Sequence, residues 1–158
     1  MPSPQIDPRG QQFAAAVTSV VLVAVLLTAP GPLGIALLAV QAALFATAVV
    51  RGVQRTPVAA LFRTVVRPWL APAAHLEDAE PPRFAQGVGL VFALVALVGF
   101  LSGATALGYG ATGFALVAAL LNATIGLCLG CEVYLLGRRA LAAPHSPQIP
   151  ATPTRSTS

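Results

Sequence analysis

Charge is scarce in this chain. Only 9% of its 158 residues are charged, against roughly 25% in soluble domains. Lysine is absent, and all nine basic residues are arginine. With 56% hydrophobic residues there is too little polar surface for a soluble fold, so the composition points to a membrane protein of one domain. The net charge of +4 is not a nucleic-acid footprint, because no dense basic run alternates with aromatics. The lack of lysine beside abundant Ala, Val, Gly and Pro suggests a high-GC bacterial genome, an inference about codon usage and not mechanism. Cysteine is nearly absent too. Two residues, Cys128 and Cys131, cannot build a disulfide framework. His75 stands alone in the central segment and offers no metal or haem site. No cofactor or metal is expected.

What is present in quantity is long uncharged runs. A bilayer core about 30 Å thick takes roughly 20 apolar residues in a helix. Such runs cover Phe13 to Ala29, Gly34 to Val50, Phe84 to Leu101, and a longer stretch within Leu107 to Leu136 with its span at about 110–136. In lipid every backbone polar group must be bonded internally, so these runs are helices. The expected fold is an all-α membrane protein. Four transmembrane helices (12–140) follow an N-terminal segment (1–11) and precede a Pro/Ser/Thr-rich disordered tail (141–158). The first run is read as an uncleaved span, since Met1 to Gly10 is a weak n-region and Pro30 disfavours cleavage after Ala29.

Arginine placement sets an expected orientation. Arg9 precedes the first span, Arg51, Arg55, Arg63, Arg67 and Arg83 lie between the second and third, and Arg138, Arg139 and Arg155 follow the fourth. The other two joints are uncharged. By the positive-inside rule both termini and the loop 51–83 are cytoplasmic, in an inner membrane. Within that loop Thr56-Pro57 starts a short helix, with Val58, Leu61, Phe62, Val65 and Trp69 on one face and Pro68 as its stop. This is expected to be an interfacial amphipathic helix anchored by Trp69, or else a linker packed on the bundle. Ala71 to Pro82 is expected to be an irregular loop.

The two hairpins resemble each other. Pro8-Arg9 and Gln12 echo Pro82-Arg83 and Gln86, and the run from Gly34 echoes the run from Gly113. Aligning Gly34 with Gly113 sets Arg51 level with Gly130, which puts the cysteines just inside the cytoplasmic boundary.

Gly126-Leu127-Cys128-Leu129-Gly130-Cys131-Glu132 is the chemically suggestive segment. Three-residue spacing puts both sulfurs on one helical face, within disulfide reach. Read as the C-terminal end of a membrane helix, the site faces the negative end of the helix dipole, with the Glu132 carboxylate beside it. Both disfavour a thiolate. The expected role is therefore a resolving or relay dithiol, with Gly126 and Gly130 as points where the helix could unwind and alter that expectation. The opposing reading makes both cysteines small packing residues, with Gly126 and Gly130 as a small-xxx-small contact. Two thiols and one carboxylate are too few for a closed zinc site. A homo-oligomer could assemble four thiolates.

Ile6-Asp7-Pro8-Arg9-Gly10-Gln11, Leu61-Phe62-Arg63 with Val66-Arg67-Pro68, Pro81-Pro82-Arg83-Phe84-Ala85-Gln86 and Cys128-Leu129-Gly130-Cys131-Glu132-Val133-Tyr134 together resemble domain-of-unknown-function family 4395, across about residues 5–139. These are membrane proteins common in actinobacteria, with no established activity. Their genes often neighbour those for thioredoxin-like proteins and sulfurtransferases, so the resemblance implies a thiol or sulfur context and a partner of that kind. Two function classes stay open. One is a thiol-redox or sulfur-relay component using Cys128, Cys131 and Glu132. The other is a structural or assembly membrane protein with no chemistry. A stand-alone enzyme is not expected.

Overall fold

The computed structural model describes residues 5–71 and 76–141. Expectations for His75 and for the tail from residue 142 lie outside the described residues. Four long helices dominate: α1 (Pro8–Thr28), α2 (Pro32–Arg51), α4 (Glu80–Leu101) and α5 (Thr105–Ile125). At 20–22 residues each, they are about 30–33 Å long, enough to cross a bilayer core.

The helix starts follow local chemistry. Asp7 caps α1, its Oδ1 accepting the Arg9 N–H at 3.0 Å, with Pro8 in the first position, where its missing N–H is harmless. Both α1 and α4 begin earlier than hydropathy alone predicts, because their first turns are polar and Pro-rich. Each hairpin turns on three residues, 29–31 and 102–104. The joints are tight. A Cβ on Gly34 would lie 2.5 Å from the Ala29 nitrogen, and one on Gly99 would lie 2.6 Å from the Gly108 nitrogen.

Around the bundle the order is α1, α2, α4, α5, with α5 closing against α1. Leu22, Val25, Leu38, Phe45 and Phe100 fill the centre together with the small residues Ala42, Ala93, Ala96 and Ala111. Large apolar residues point outward instead: Leu27 is 80% exposed, and Val20 and Phe114 are 71% exposed. Large apolar residues turned outward, and alanines that let the backbones approach within, suit helices packed in lipid, where dispersion replaces the hydrophobic effect. The protein is a multi-pass membrane protein.

Between the hairpins, Val53–Arg55 forms a 3-10 turn and α3 (Pro57–Leu61) follows. Thr56 caps α3 as expected, its Oγ1 accepting from the Ala59 N–H at 3.1 Å. The helix then loosens into a π turn (Phe62–Val66) and a 3-10 turn (Arg67–Trp69). The expected single apolar face divides in two. Phe62 is buried, its ring 5.7 Å from that of Phe13, while Leu61, Val65 and Trp69 face outward. The stretch expected to be an irregular loop contains β2 (Glu77–Asp78), which pairs antiparallel with β1 (Gln5–Ile6).

The largest departure from expectation is in the last span. The continuous helix expected through Leu136 stops at Ile125, and a separate amphipathic helix, α6 (Leu129–Leu141), follows. Gly126 sits at φ 71°, ψ 10°, the left-handed conformation that glycine adopts without penalty and that ends helices. Its N–H donates to Asn122 C=O at 3.1 Å, and the Leu127 N–H donates to Leu121 C=O at 3.3 Å.

The structure also changes the repeat. Equivalent helix ends match when the halves are offset by 74 positions: Pro8 with Pro82, Arg9 with Arg83, Gln12 with Gln86, Gly34 with Gly108, and Gly52 with Gly126. Gly52 (φ 92°) and Gly126 (φ 71°) both have positive φ and both end the second helix of a hairpin. The expected Gly34–Gly113 alignment is therefore replaced, since Gly34 opens α2 whereas Gly113 lies well inside α5. Each half now reads as span, span and short amphipathic segment, which makes α6 the counterpart of the α3 region.

Candidate functional site

Cys128 and Cys131 are together, as their spacing predicts. Their Cα atoms are 5.2 Å apart and the sulfurs are within disulfide distance. Their place on the helix is the reverse of the expected one. The Glu132 N–H donates to Cys128 C=O at 3.0 Å. Cys128 is therefore the residue immediately before α6, and Cys131 lies in its first turn. The amides of Leu129, Gly130 and Cys131 open the helix without intrahelical acceptors. The pair thus faces the positive end of the α6 dipole, which favours a thiolate. No fully apolar reading of Ile125 to Leu129 reveals this. The one signal in the sequence is Gly126 itself, matched to Gly52 by the repeat.

α6 is held mainly by α4. A Cβ on Gly130 would come within 2.6 Å of the Ala85 Cβ, so glycine lets the two backbones meet. One turn on, the Tyr134 ring lies 5.6 Å from Phe84, and its hydroxyl donates to Glu80 Oε2 at 2.9 Å. Arg138 stands 3.9 Å from the same Glu80 oxygen. Glu80 and not Glu132 is therefore the arginine's partner. Glu132 is solvent-exposed in the first turn of α6, next to Cys131.

Both cysteines are half-buried and line a cleft of about 330 Å³ at the end of the bundle. The first two turns of α1 and α4 contribute Arg9, Gln12 and Gln86 to it, and α5 contributes Asn122. Gln11 and Glu77 line it as well, so the wall of the cleft combines carboxamides with one cation and one carboxylate. The sequence alone does not bring Asn122, Gln12 and Gln86 together as a site. The repeat is the only signal for Gln12 and Gln86, since they are equivalent positions of the two halves. Among the described residues no group of three or more His, Cys, Asp or Glu side chains could hold a metal ion.

The profile of the family described as Domain of unknown function (DUF4395) matches residues 6–139. The chain belongs to this family. In this DUF4395 member the matched region runs from β1 into α6, so it includes both hairpins and the cysteine pair. No curated protein and no solved structure matches the chain.

Proposed function

We propose that this DUF4395 protein is a membrane thiol–disulfide relay whose reacting group is the Cys128–Cys131 pair. The observation that carries this reading is the position of Cys128 directly before the first turn of α6, with Cys131 one turn away at disulfide distance. A helix N-terminus stabilises the thiolate, the nucleophilic form of cysteine. Where the sequence alone suggests a resolving or relay dithiol, this reading gives the relay an attacking residue.

In the reduced protein the Cys128 thiolate attacks a disulfide of a partner protein. A mixed disulfide forms and the partner's second sulfur leaves as a thiolate. Cys131 then attacks Cys128, closing the intramolecular disulfide and releasing the partner as a dithiol. Glu132 takes the proton from Cys131 as it attacks and passes it to solvent. The partner class is a thioredoxin-like or sulfurtransferase protein, consistent with the family resemblance.

Orientation supports a cytoplasmic partner. The pair lies at the end of the bundle carrying the N-terminus and Arg51, and arginines concentrate at that end. The membrane in this reading is the inner membrane, with both termini inside. α6 and the α3 segment lie in the bilayer interface, with Gly130 and Tyr134 of α6 against α4 and Leu129, Val133 and Leu136 on its outward face.

Alkylation of intact cells with a membrane-impermeant reagent, before and after permeabilisation, tests this reading. The relay predicts that the cysteines are protected until permeabilisation and shift between thiol and disulfide with the cytoplasmic redox state. Labelling from outside, or a redox state that never changes, counts against it.

A structural role has one specific observation in its favour: Gly130 against Ala85 accounts for the glycine beside the pair by packing alone. That reading predicts normal abundance and function for the Cys128→Ala/Cys131→Ala protein.

A further inference from the structure

A second cavity of about 330 Å³ lies between α1 and α2, beneath the α3 segment. This is at the small end of the roughly 300–1,000 Å³ range of small-molecule sites, suited to one substituted ring. Phe45 and Phe62 supply aromatic wall, and Gln11, Gln41 and Gln86 supply carboxamides. Gln41 is 2% exposed. It lies about 15 Å along α2 from Arg51, deep in the span. Its Nε2 donates to Thr18 Oγ1 at 3.3 Å, and its Oε1 has no partner. A buried amide left half-matched in a membrane span is costly and calls for a reason. Gln11 and Gln86 also line the disulfide cleft, so the two cavities adjoin.

We propose that this cavity binds the ring of a lipid-soluble quinone, the electron acceptor of the cysteine pair. The choice of ring rests on the thiol reading above, and the site rests on the cavity. A carboxamide suits such a ligand because it carries both a donor and an acceptor. Its N–H serves the carbonyl of the quinone, and its oxygen serves the hydroxyl of the hydroquinone. Gln41 is a binding residue at the inner end, and Gln11 and Gln86 stand where the ring meets the disulfide cleft. In the exchange the dithiol gives two electrons and two protons to the quinone. Two S–H bonds break, one S–S bond forms, and two O–H bonds form on the ring. Both this step and the exchange above oxidise the dithiol, so a full cycle runs that exchange in reverse: a partner thiolate attacks Cys128, Cys131 leaves as a thiolate, and the partner's second thiol attacks its own sulfur in the mixed disulfide, releasing Cys128 and restoring the dithiol for the quinone.

The test uses the full chain in lipid nanodiscs with tetramethyl-1,4-benzoquinone, whose substituted ring blocks thiol addition to carbon. Binding is read as a saturable rise in Tm of the Cys128→Ala/Cys131→Ala protein. Gln41→Met in that background keeps the side-chain length and removes the amide, and should weaken binding about tenfold. Ala14→Leu fills the same cavity from α1 without touching an amide, and should weaken binding at least as much. It serves if the Met variant folds poorly. Anaerobic mixing with the reduced wild-type protein should yield one hydroquinone per dithiol. Absence of saturable binding, or binding unchanged by both variants, overturns the site. Binding without hydroquinone overturns the assignment as electron acceptor. Neither result depends on trapping a protein partner, which tests the thiol reading separately.

Discussion

Gly126→Ala should lower the reactivity of Cys128 by re-forming a continuous helix. The left-handed backbone at φ 71° costs an L-residue about 1–2 kcal/mol. The new Cβ would also stand 2.8 Å from Gln12 Nε2, an exposed side chain able to move. Backbone strain is therefore the main effect, and it disfavours the break between α5 and α6. Where the break is lost, Cys128 leaves the start of α6 and becomes an interior residue of a longer helix. Its thiolate then loses a dipole contribution of about 0.3–1 kcal/mol, a factor of roughly two to five in reactive form. The assay is the alkylation rate of Cys128 at neutral pH in the Cys131→Ser background, with and without Gly126→Ala. A two- to fivefold slowing is expected. Gly126→Asn should retain most of the rate, because asparagine tolerates the left-handed region. Gly52→Ala is the matched control. Gly52 also has a positive φ (92°), though with ψ 149° in place of 10°, has nothing within 4 Å of its Cβ position, and ends the other hairpin. Equal rates for Gly126→Ala and wild type, or equal slowing by Gly52→Ala, would refute the reasoning.

Other substitutions separate the parts of the structure. Gly130→Leu drives a side chain into Ala85 and should cost about 1–3 kcal/mol of docking, read as faster hydrogen exchange in α6 with α1 to α5 unchanged. Gly108→Ala puts a Cβ within 2.6 Å of the Phe100 ring and should destabilise the second hairpin by about 1–3 kcal/mol, read as a lower Tm in detergent. Glu80→Gln removes the carboxylate shared by Tyr134 and Arg138. Because the ion pair is exposed, the loss should stay below about 1 kcal/mol, measured by the same unfolding assay.

Much of the fold is legible in the sequence because lipid imposes a simple rule. An uncharged run of span length must be a helix, and Pro-Gly or Ser-Gly must be where it turns. The arginines, Pro8, Pro82 and the Thr56 cap all mark boundaries by their own chemistry. The end of α5 is hidden for the same reason the spans are visible. Ile125 to Leu129 is uniformly apolar apart from its glycine, so hydropathy runs through a turn that the backbone makes. That one turn decides which pole of a helix faces Cys128. The polar wall of the cleft was equally hidden, since Gln12, Gln86 and Asn122 come from three helices and meet only after packing.

The central claim is that Cys128 attacks and Cys131 resolves. Cys131→Ser in native membranes, with Cys128 intact, tests it most directly. The relay predicts a covalent adduct with a thiol protein on non-reducing gels, released by reductant and absent from Cys128→Ser. No adduct under oxidative stress, or equal adducts from both variants, would contradict it.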